Sequence, residues 1–302
     1  MGMLATELRR MWSRRLVKLL GASVVLAILA GATIGFFNSS RDTASALQET
    51  RAQRRRAIQE CESGGFQFPR QNRRGFDLEK ACRRAVGTHQ APDPGLDYRQ
   101  MQEVLLAISP PLAILCLLLG ASFVGAEWQK ETITTTLTWE PRRARLLAAK
   151  FAAVALAGFA FSVVMGLVLA ASLWPVAALR GSTSDLDAAW LRSASGIGLR
   201  MALLGGLTAV VGCAIATVAR NTTAALSVAF LYFAVLEGVI RGFRPGWQPG
   251  LLGDNAAQFV SGEPVGPAMA SQTTLDVTVV LVVYAAVLMA IAMIFFKRRD
   301  VT

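Results

Sequence analysis

The fold class is decided by the stretch FAAVALAGFAFSVVMGLVLAASLWPVAAL, residues 151–179, which contains no charged residue. An α-helix that crosses the roughly 30 Å hydrocarbon core of a bilayer needs about 20 apolar residues. This stretch is longer than that, and it shows neither the helical nor the strand periodicity of a half-buried element in a soluble protein. It therefore predicts a membrane-spanning helix.

Similar apolar runs lie on both sides of this stretch. Together they predict six transmembrane helices at 19–37, 103–126, 146–179, 193–219, 222–242 and 276–297. Hydrophobic residues make up 53% of the chain and charged residues 17%, with a mean hydropathy of +0.44, as expected for an all-α membrane protein. The first run follows several arginines, as a secretory signal does, but it is longer than the apolar core of a signal peptide. We interpret it as a span.

The distribution of lysines and arginines predicts the orientation. Basic residues on short loops mark the cytoplasmic side of a membrane protein. Most of those near span ends fall on the side that holds both termini and the loop at 127–145, so both termini are predicted to be cytoplasmic. We expect this basic set to contact anionic lipid. Despite the net charge of +11, nucleic acid is not expected as a partner, because the basic residues are divided among membrane flanks.

The segment 38–102 is predicted to be a small extracellular cap. Its aliphatic content is too low for an independent core. Cys61 and Cys82 both fall in it, and in an oxidising compartment a disulfide between them would stabilise the cap by roughly 3 kcal/mol. A metal site that adds His89, the single histidine, is the alternative, but it lacks a fourth ligand.

The residues 1–18 precede the first span and contain apolar positions at helical spacing. These positions are Leu4, Leu8, Met11 and Trp12. They predict an amphipathic basic helix on the cytoplasmic surface, with the apolar side chains towards lipid. A plain positive flank of the first span explains the same residues, and both interpretations stay open.

Small residues occur within several spans. They include Gly31, Gly35, Gly205, Gly206, Ala209 and Gly212. Such faces let helix backbones approach closely, either inside one chain or in a dimer. Cys116 and Cys213 also lie within predicted spans and are interpreted as small packing residues.

The loop at 127–145 is the most informative segment. It begins at Glu127, and Pro141 is well placed as the first residue of the next helix, followed by Arg143 near the lipid headgroups. Four apolar residues lie on this cytoplasmic loop, where they have no lipid to face: Trp128, Ile133, Leu137 and Trp139. An ordinary connection has no use for them, and exposed apolar surface of this kind indicates a protein partner.

This loop resembles the intracellular loop of the permease subunits of type 2 ABC exporters, which have the G-subfamily-like or type V fold. In those permeases the second span ends in a Glu, a Thr follows shortly after, and a Pro, an Arg and a Lys open the third span. The corresponding residues here are Glu127, Thr132, Pro141, Arg143 and Lys150. The family more often has Gly before the Thr, where this chain has Glu131. The rest of the chain is similar to the family in outline.

The resemblance implies that residues of about 128–140 form a coupling helix seated in a groove of a separate ATP-binding subunit. That subunit would bind ATP and Mg, and this chain would bind no cofactor. The chain contains no phosphate-binding G-x-x-x-x-G-K-[ST] motif, which agrees with an ATPase site elsewhere. Two permease copies, identical or different, would pair in the bacterial cytoplasmic membrane and export an amphipathic, drug-like or lipid-like substrate.

The segment 243–275 and the charges before it allow two interpretations each. The residues alone permit a flexible outer loop, whereas the resemblance implies short re-entrant helices that form an outer gate. Glu237 and Arg241 are four residues apart, so they share one face of the fifth helix. They form either a structural pair near the membrane surface or a functional charge within the membrane.

Two other functions are compatible with a membrane chain of this kind. An intramembrane enzyme would need a nucleophile with a base, paired carboxylates or metal ligands within the spans. The only histidine is in the outer segment and Glu237 has no acidic partner, so no catalytic or metal site is expected. A non-transporting signalling or envelope-assembly protein coupled to the same ATPase would need the same loop, and the sequence does not separate it from an exporter.

Overall fold

The computed structural model describes residues 3–38, six positions between 52 and 60, 97–129, 143–180, 183 and 186–298. Its α-helices are α1 (Met3–Ser13), α2 (Arg15–Asn38), α3 (Met101–Gln129), α4 (Arg143–Arg180), α5 (Ala188–Ala219), α6 (Thr222–Phe230), α7 (Glu237–Phe243), α8 (Leu252–Ser261) and α9 (Thr274–Arg298). A π-helical segment, Leu231–Leu236, joins α6 to α7. Short 3-10 turns occur at Tyr98–Gln100, Pro245–Gly250 and Pro267–Met269.

Within the described ranges, six helical stretches are long and apolar enough to cross a membrane. They are Arg15–Phe37, Tyr98–Gln129, Ala144–Arg180, Ala188–Ala219, Thr222–Phe243 and Thr274–Arg298. Each contains one of the six predicted spans. The prediction of a helical, multi-pass membrane protein is therefore confirmed.

The helices extend beyond the uncharged runs at several ends. The fourth span begins at Ala188 rather than at 193, because the Asp187 carboxylate caps it by accepting a hydrogen bond of 2.7 Å from the Trp190 amide. The loop predicted at 127–145 is shorter in the structure, since α3 continues to Gln129 and α4 begins at Arg143. Charged residues at these ends are tolerated because side chains near the end of a span can reach the polar membrane surface.

The N-terminal segment is helical, but not over the whole of 3–18. α1 ends at Ser13, and Arg14 interrupts the helix before α2 begins. Met11 is buried in the same hydrophobic cluster as Phe123 and Phe296, so the prediction that it faces lipid is wrong. Trp12, the next residue, is exposed as predicted.

Spatial contacts divide the chain into two units, one formed by Met1–Ala27, Gln102–Leu169 and Asp187–Thr302, the other by Ile28–Met101 and Ala170–Leu186. In the second unit, the Arg180 guanidinium donates to the carbonyl of Phe36 at 3.1 Å and lies 4.2 Å from the centre of its ring. Tyr98 packs edge-to-face on Trp174 at 5.2 Å.

The core of the first unit is built around α5. A Cβ placed on Gly120 of α3 would collide with a backbone carbonyl of α5, and one on Gly212 would collide with the carbonyl of Leu117 in α3. A Cβ on Gly205 would likewise collide with the hydroxyl of Ser162 in α4. The small-residue face of α5 therefore serves internal packing, because only glycine lets these backbones come so close.

Both cysteines of the spans lie in this core. Cys116 and Cys213 are free thiols with no exposed surface. The Cys116 thiol is 3.4 Å from the Ser162 hydroxyl. Their interpretation as small packing residues is confirmed.

The segment between α7 and α9 is folded, so the interpretation of 243–275 as a flexible loop is wrong. Polar side chains hold α8 and its flanks in place: the Asn255 amide donates to the carbonyls of Pro249 at 2.9 Å and Leu251 at 2.7 Å, and the Gln258 amide donates to Gln272 at 2.8 Å. The sequence did not reveal this because the segment is short, polar and rich in Gly and Pro.

Candidate functional site

Four charged side chains, three of them buried and one partly exposed, meet where α3 ends and α4 begins. The Lys150 ammonium lies 2.7 Å from Glu127 Oε2 and 3.2 Å from Glu7 Oε2. Arg14 Nη2 lies 3.2 Å from the other oxygen of Glu127. The side chains of Glu7, Glu127 and Lys150 are each less than a tenth exposed. We call these four residues the ion cluster; it joins α1, α3 and α4.

An aromatic ring lies beneath both cations of the ion cluster. The Phe123 ring centre is 4.7 Å from the Arg14 guanidinium carbon and 5.1 Å from the Lys150 nitrogen. Such a position favours a cation, because the face of the ring is negative. Arg14 also donates to the backbone carbonyl of Ser122 at 3.1 Å. Both cations are therefore fixed to α3 by more than one contact.

The local sequence explains how α1 contributes to the ion cluster. Glu7 and Met11 are four residues apart and so lie on one face of α1. Met11 enters the hydrophobic cluster, and its burial brings Glu7 to Lys150. Arg14 lies at the break between α1 and α2, where its side chain turns towards Glu127.

The ion cluster contains two carboxylates and two cations. A third cation, the exposed Arg10, lies 3.8 Å from Glu7 at its edge. Burial lowers the pKa of Arg14 below its ordinary value, while the charges of Glu127 and Glu7 act in the opposite direction. An arginine nevertheless keeps its proton in proteins. The cluster is thus a set of opposite charges that holds three helix segments in one arrangement.

Such a cluster adds little net stability, because removing charges from water is costly. Its effect is to penalise any arrangement in which one charge loses its partner. α1, the end of α3 and the start of α4 are therefore expected to move together.

A second set of contacts lies next to the ion cluster. Trp128 packs edge-to-face on Phe296 of α9, with ring centres 6.1 Å apart, and the Arg220 guanidinium lies 4.6 Å from its ring centre. Arg220 ends α5 in the left-handed conformation, at φ 54°. The buried indole N–H of Trp128 has no hydrogen-bond partner within the described part of the chain. The end of α3 is thereby connected to the ends of α5 and α9.

The predicted coupling residues are only partly described. Glu127 and Trp128 are the last turn of α3, and Arg143 is the first residue of α4. Thr132, Ile133, Leu137, Trp139 and Pro141 lie outside the described residues, as do Cys61, Cys82 and His89.

The predicted pair in the fifth span is confirmed and has a third member. Arg241 Nη2 is 3.0 Å from Glu237 Oε2 and 2.9 Å from Asp254 Oδ1 of α8. The expectation that Glu237 has no acidic partner is wrong, because the two carboxylates share one guanidinium. Glu237 is buried, whereas Arg241 is nearly half exposed.

Sequence reasoning missed Glu7 and Asp254, and it named Lys150 only as the lysine that opens the third span, without assigning it a partner. Glu7 is the one acidic residue among the first 18, which is a usable signal. Lys150 interrupts an otherwise apolar run, and a charge in that position has to find a partner. Asp254 gave no signal, since its role depends on how α8 packs.

Comparison with known families assigns the chain to a family whose function is unknown. A family model described as a protein of unknown function, DUF2705, matches residues 89–302, a range that includes α3 to α9. No curated protein matches the chain. Because the matched range covers well over half of the sequence, the chain belongs to the DUF2705 family.

Proposed function

We propose that this chain is the membrane permease subunit of an ATP-driven exporter of the type 2 ABC class. A separate ATP-binding subunit, which holds ATP and Mg, drives it by pushing on the loop at 127–145. Two permease copies form the transport path in the bacterial cytoplasmic membrane, with both termini of each copy in the cytoplasm. The substrate is amphipathic, drug-like or lipid-like, and the chain itself performs no catalysis.

The observation that supports this proposal is the ion cluster at the two ends of that loop. Glu127 lies at the end of α3, two residues before the last helical position, and Lys150 lies in the second turn of α4. Their contact at 2.7 Å closes the base of the loop. A push on the loop can then move α3 and α4 as one body instead of bending either helix separately.

The contacts of Trp128 suggest how the movement spreads. Its ring lies against Phe296 of α9 and beneath Arg220 at the end of α5. A displacement of the loop would therefore be transmitted directly to α5 and α9. Through α1, Glu7 adds the surface helix to the same moving body.

The finer features of the proposal follow the same family pattern. We place α8 and its flanks on the extracellular side as re-entrant helices of an outer gate. The segment 38–102 forms an extracellular cap closed by a disulfide between Cys61 and Cys82. Lipid covers the exposed apolar faces of the spans, and no nucleic acid is bound.

The test is recovery of an ATP-binding subunit with the tagged chain from native membranes. Leu137→Asp and Trp139→Asp should abolish recovery, because a charge at the loop surface opposes burial in a partner groove. Trp247→Asp is the matched control, since Trp247 is an exposed tryptophan between α7 and α8. It should leave recovery unchanged. Normal recovery with both loop variants contradicts the proposal.

A second measurement separates force transfer from binding. Lys150→Met should still bring down the ATP-binding subunit, because Lys150 is buried away from the partner surface. It should lower substrate-stimulated ATP hydrolysis in reconstituted vesicles by about tenfold or more, which corresponds to about 1.4 kcal/mol in activation free energy. Hydrolysis that no candidate substrate stimulates in the wild type would instead favour the signalling or assembly role.

A further inference from the structure

The helix α8 has no cap of its own. Its N-cap position is Leu251, whose side chain cannot accept a hydrogen bond, so the first amides of the helix need other acceptors. Two residues of the fifth span supply them. The Leu252 amide donates to the Tyr232 hydroxyl at 3.2 Å, and the Gly253 amide donates to Glu237 Oε1 at 2.7 Å.

A guanidinium reinforces this cap. Arg241 contacts the second oxygen of Glu237 and both oxygens of Asp254, which lies in the first turn of α8. Negative charge near the start of a helix is favourable. The start of α8 is therefore held to the fifth span by two capping groups and one ionic bridge.

The π-helical segment makes the double cap possible. The Glu237 amide donates to the carbonyl of Tyr232, five residues earlier, whereas an α-helix would bond four residues earlier. In a regular α-helix, two residues five positions apart point roughly 140° away from each other. The wider π turn brings Tyr232 and Glu237 to the same face, where both can reach α8.

The docked position of α8 also has unfavourable elements. The side-chain oxygens of Asn255 and Gln258 are buried and have no hydrogen-bond partner within the residues that the structure describes. A buried acceptor without a donor destabilises the state that buries it. The π segment is also an uncommon conformation, since π turns are rare in proteins and frequently occur at functional sites. The docked position of α8 is therefore not strongly favoured over the released position.

We propose that Leu231–Leu236 is a register switch that docks and releases α8. In the π register, Tyr232 and Glu237 cap α8. When Leu231–Leu236 returns to the α register, the residues of α7, which begins at Glu237, rotate by roughly 100° about the helix axis. The two caps then separate, α8 leaves its site, and the oxygens of Asn255 and Gln258 reach water. This switch goes beyond the proposed export function and does not depend on it.

Deletion of Ala234 is the sharpest test. It removes the extra residue of the π turn and places Tyr232 and Glu237 four positions apart, roughly 40° from each other in a regular α-helix. Both caps are kept, but the switch is lost. Ala234→Leu is the matched control, because it changes the same exposed position without changing the register.

The measurement is amide hydrogen exchange of the whole chain in lipid nanodiscs, resolved to single residues. The deletion should slow exchange at Leu252 and Gly253 by about tenfold or more, because opening through the register change is no longer available. Ala234→Leu should exchange as the wild type does. Equal or faster exchange in the folded deletion variant overturns the proposal.

A pair of tyrosine variants tests the cap if the deletion variant does not fold. Tyr232→Phe should speed exchange of the Leu252 amide by about fivefold to tenfold, the effect of losing one neutral hydrogen bond. Tyr284→Phe is the control, because the Tyr284 hydroxyl bonds the Gly250 carbonyl in the same segment but caps no amide of α8. Equal exchange at Leu252 in the two variants overturns the proposal.

Discussion

Replacing Lys150 by methionine removes the central cation of the ion cluster while keeping a long apolar stem. In the wild type this ammonium contacts Glu127 at 2.7 Å and Glu7 at 3.2 Å, and its side chain is only 3% exposed. After Lys150→Met, Arg14 is the only cation left in the cluster for two buried carboxylates. Glu127 keeps Arg14 at 3.2 Å, whereas Glu7 is left with the exposed Arg10 at 3.8 Å and has no buried cation beside it.

The size of the effect follows from that unpaired charge. Removing one partner of a buried ion pair costs about 3–5 kcal/mol. At about 2–4 °C for each kcal/mol, a loss of about 3 kcal/mol lowers Tm by roughly 6–12 °C. Glu7→Gln in the Lys150→Met background should recover part of this loss, because it neutralises the carboxylate that has lost its buried partner, while Glu127 and Arg14 stay paired at 3.2 Å.

Thermal unfolding can be followed through the buried thiols of Cys116 and Cys213. Neither has exposed surface, so a fluorogenic maleimide reacts with them only when the first unit opens. Cys61 and Cys82 are reduced and blocked beforehand with a colourless maleimide under native conditions. The midpoint of the fluorescence rise then reports the stability of the core around α5.

Lys297→Met is the matched control, since Lys297 is exposed at the end of α9. A surface substitution of this kind changes stability by about 0.5 kcal/mol or less. Equal midpoints for Lys150→Met and Lys297→Met would refute the reasoning about the ion cluster. So would a further fall in the double variant, because it would mean that an uncompensated carboxylate is not the cause.

Three other predictions concern helix packing, the N-terminal cap of α5, and the proposed disulfide between Cys61 and Cys82. Gly120→Val should sharply reduce the yield of monodisperse protein, because the new Cβ collides with α5. A Cβ at Gly31 meets nothing within 4 Å, so Gly31→Val should purify normally. Equal yields of the two variants would contradict the close packing. Asp187→Ala should speed amide exchange in the first turn of α5 and lower stability by about 1 kcal/mol, and unchanged exchange would contradict the cap. Cys61 and Cys82 should resist alkylation in the intact protein until a reductant is added, as measured by intact mass; immediate alkylation of both would contradict the disulfide.

The spans could be predicted because the bilayer imposes a length on any apolar run that crosses it. Residues 151–179 needed no partner to be recognised, and the other five spans followed by the same reasoning. The pair of Glu237 and Arg241 was also accessible, since residues four apart on a helix are neighbours. These are local properties of the sequence.

The rest depended on tertiary contacts. Glu7 and Lys150 are far apart in the sequence, and only the burial of Met11 brings them together. The π segment is an ordinary apolar run in the sequence, and the residues near its two ends, Tyr232 and Glu237, bind α8, which lies further along the chain. No periodicity could have indicated either feature.

The most direct test of the proposed coupling is a photocrosslink in native membranes. A photoreactive phenylalanine analogue placed at Trp139 should crosslink to an ATP-binding subunit, and the same analogue at the exposed Trp247 should not. A crosslink to such a subunit from Trp247 alone, or none from Trp139 in a membrane where the chain is functional, would contradict the account.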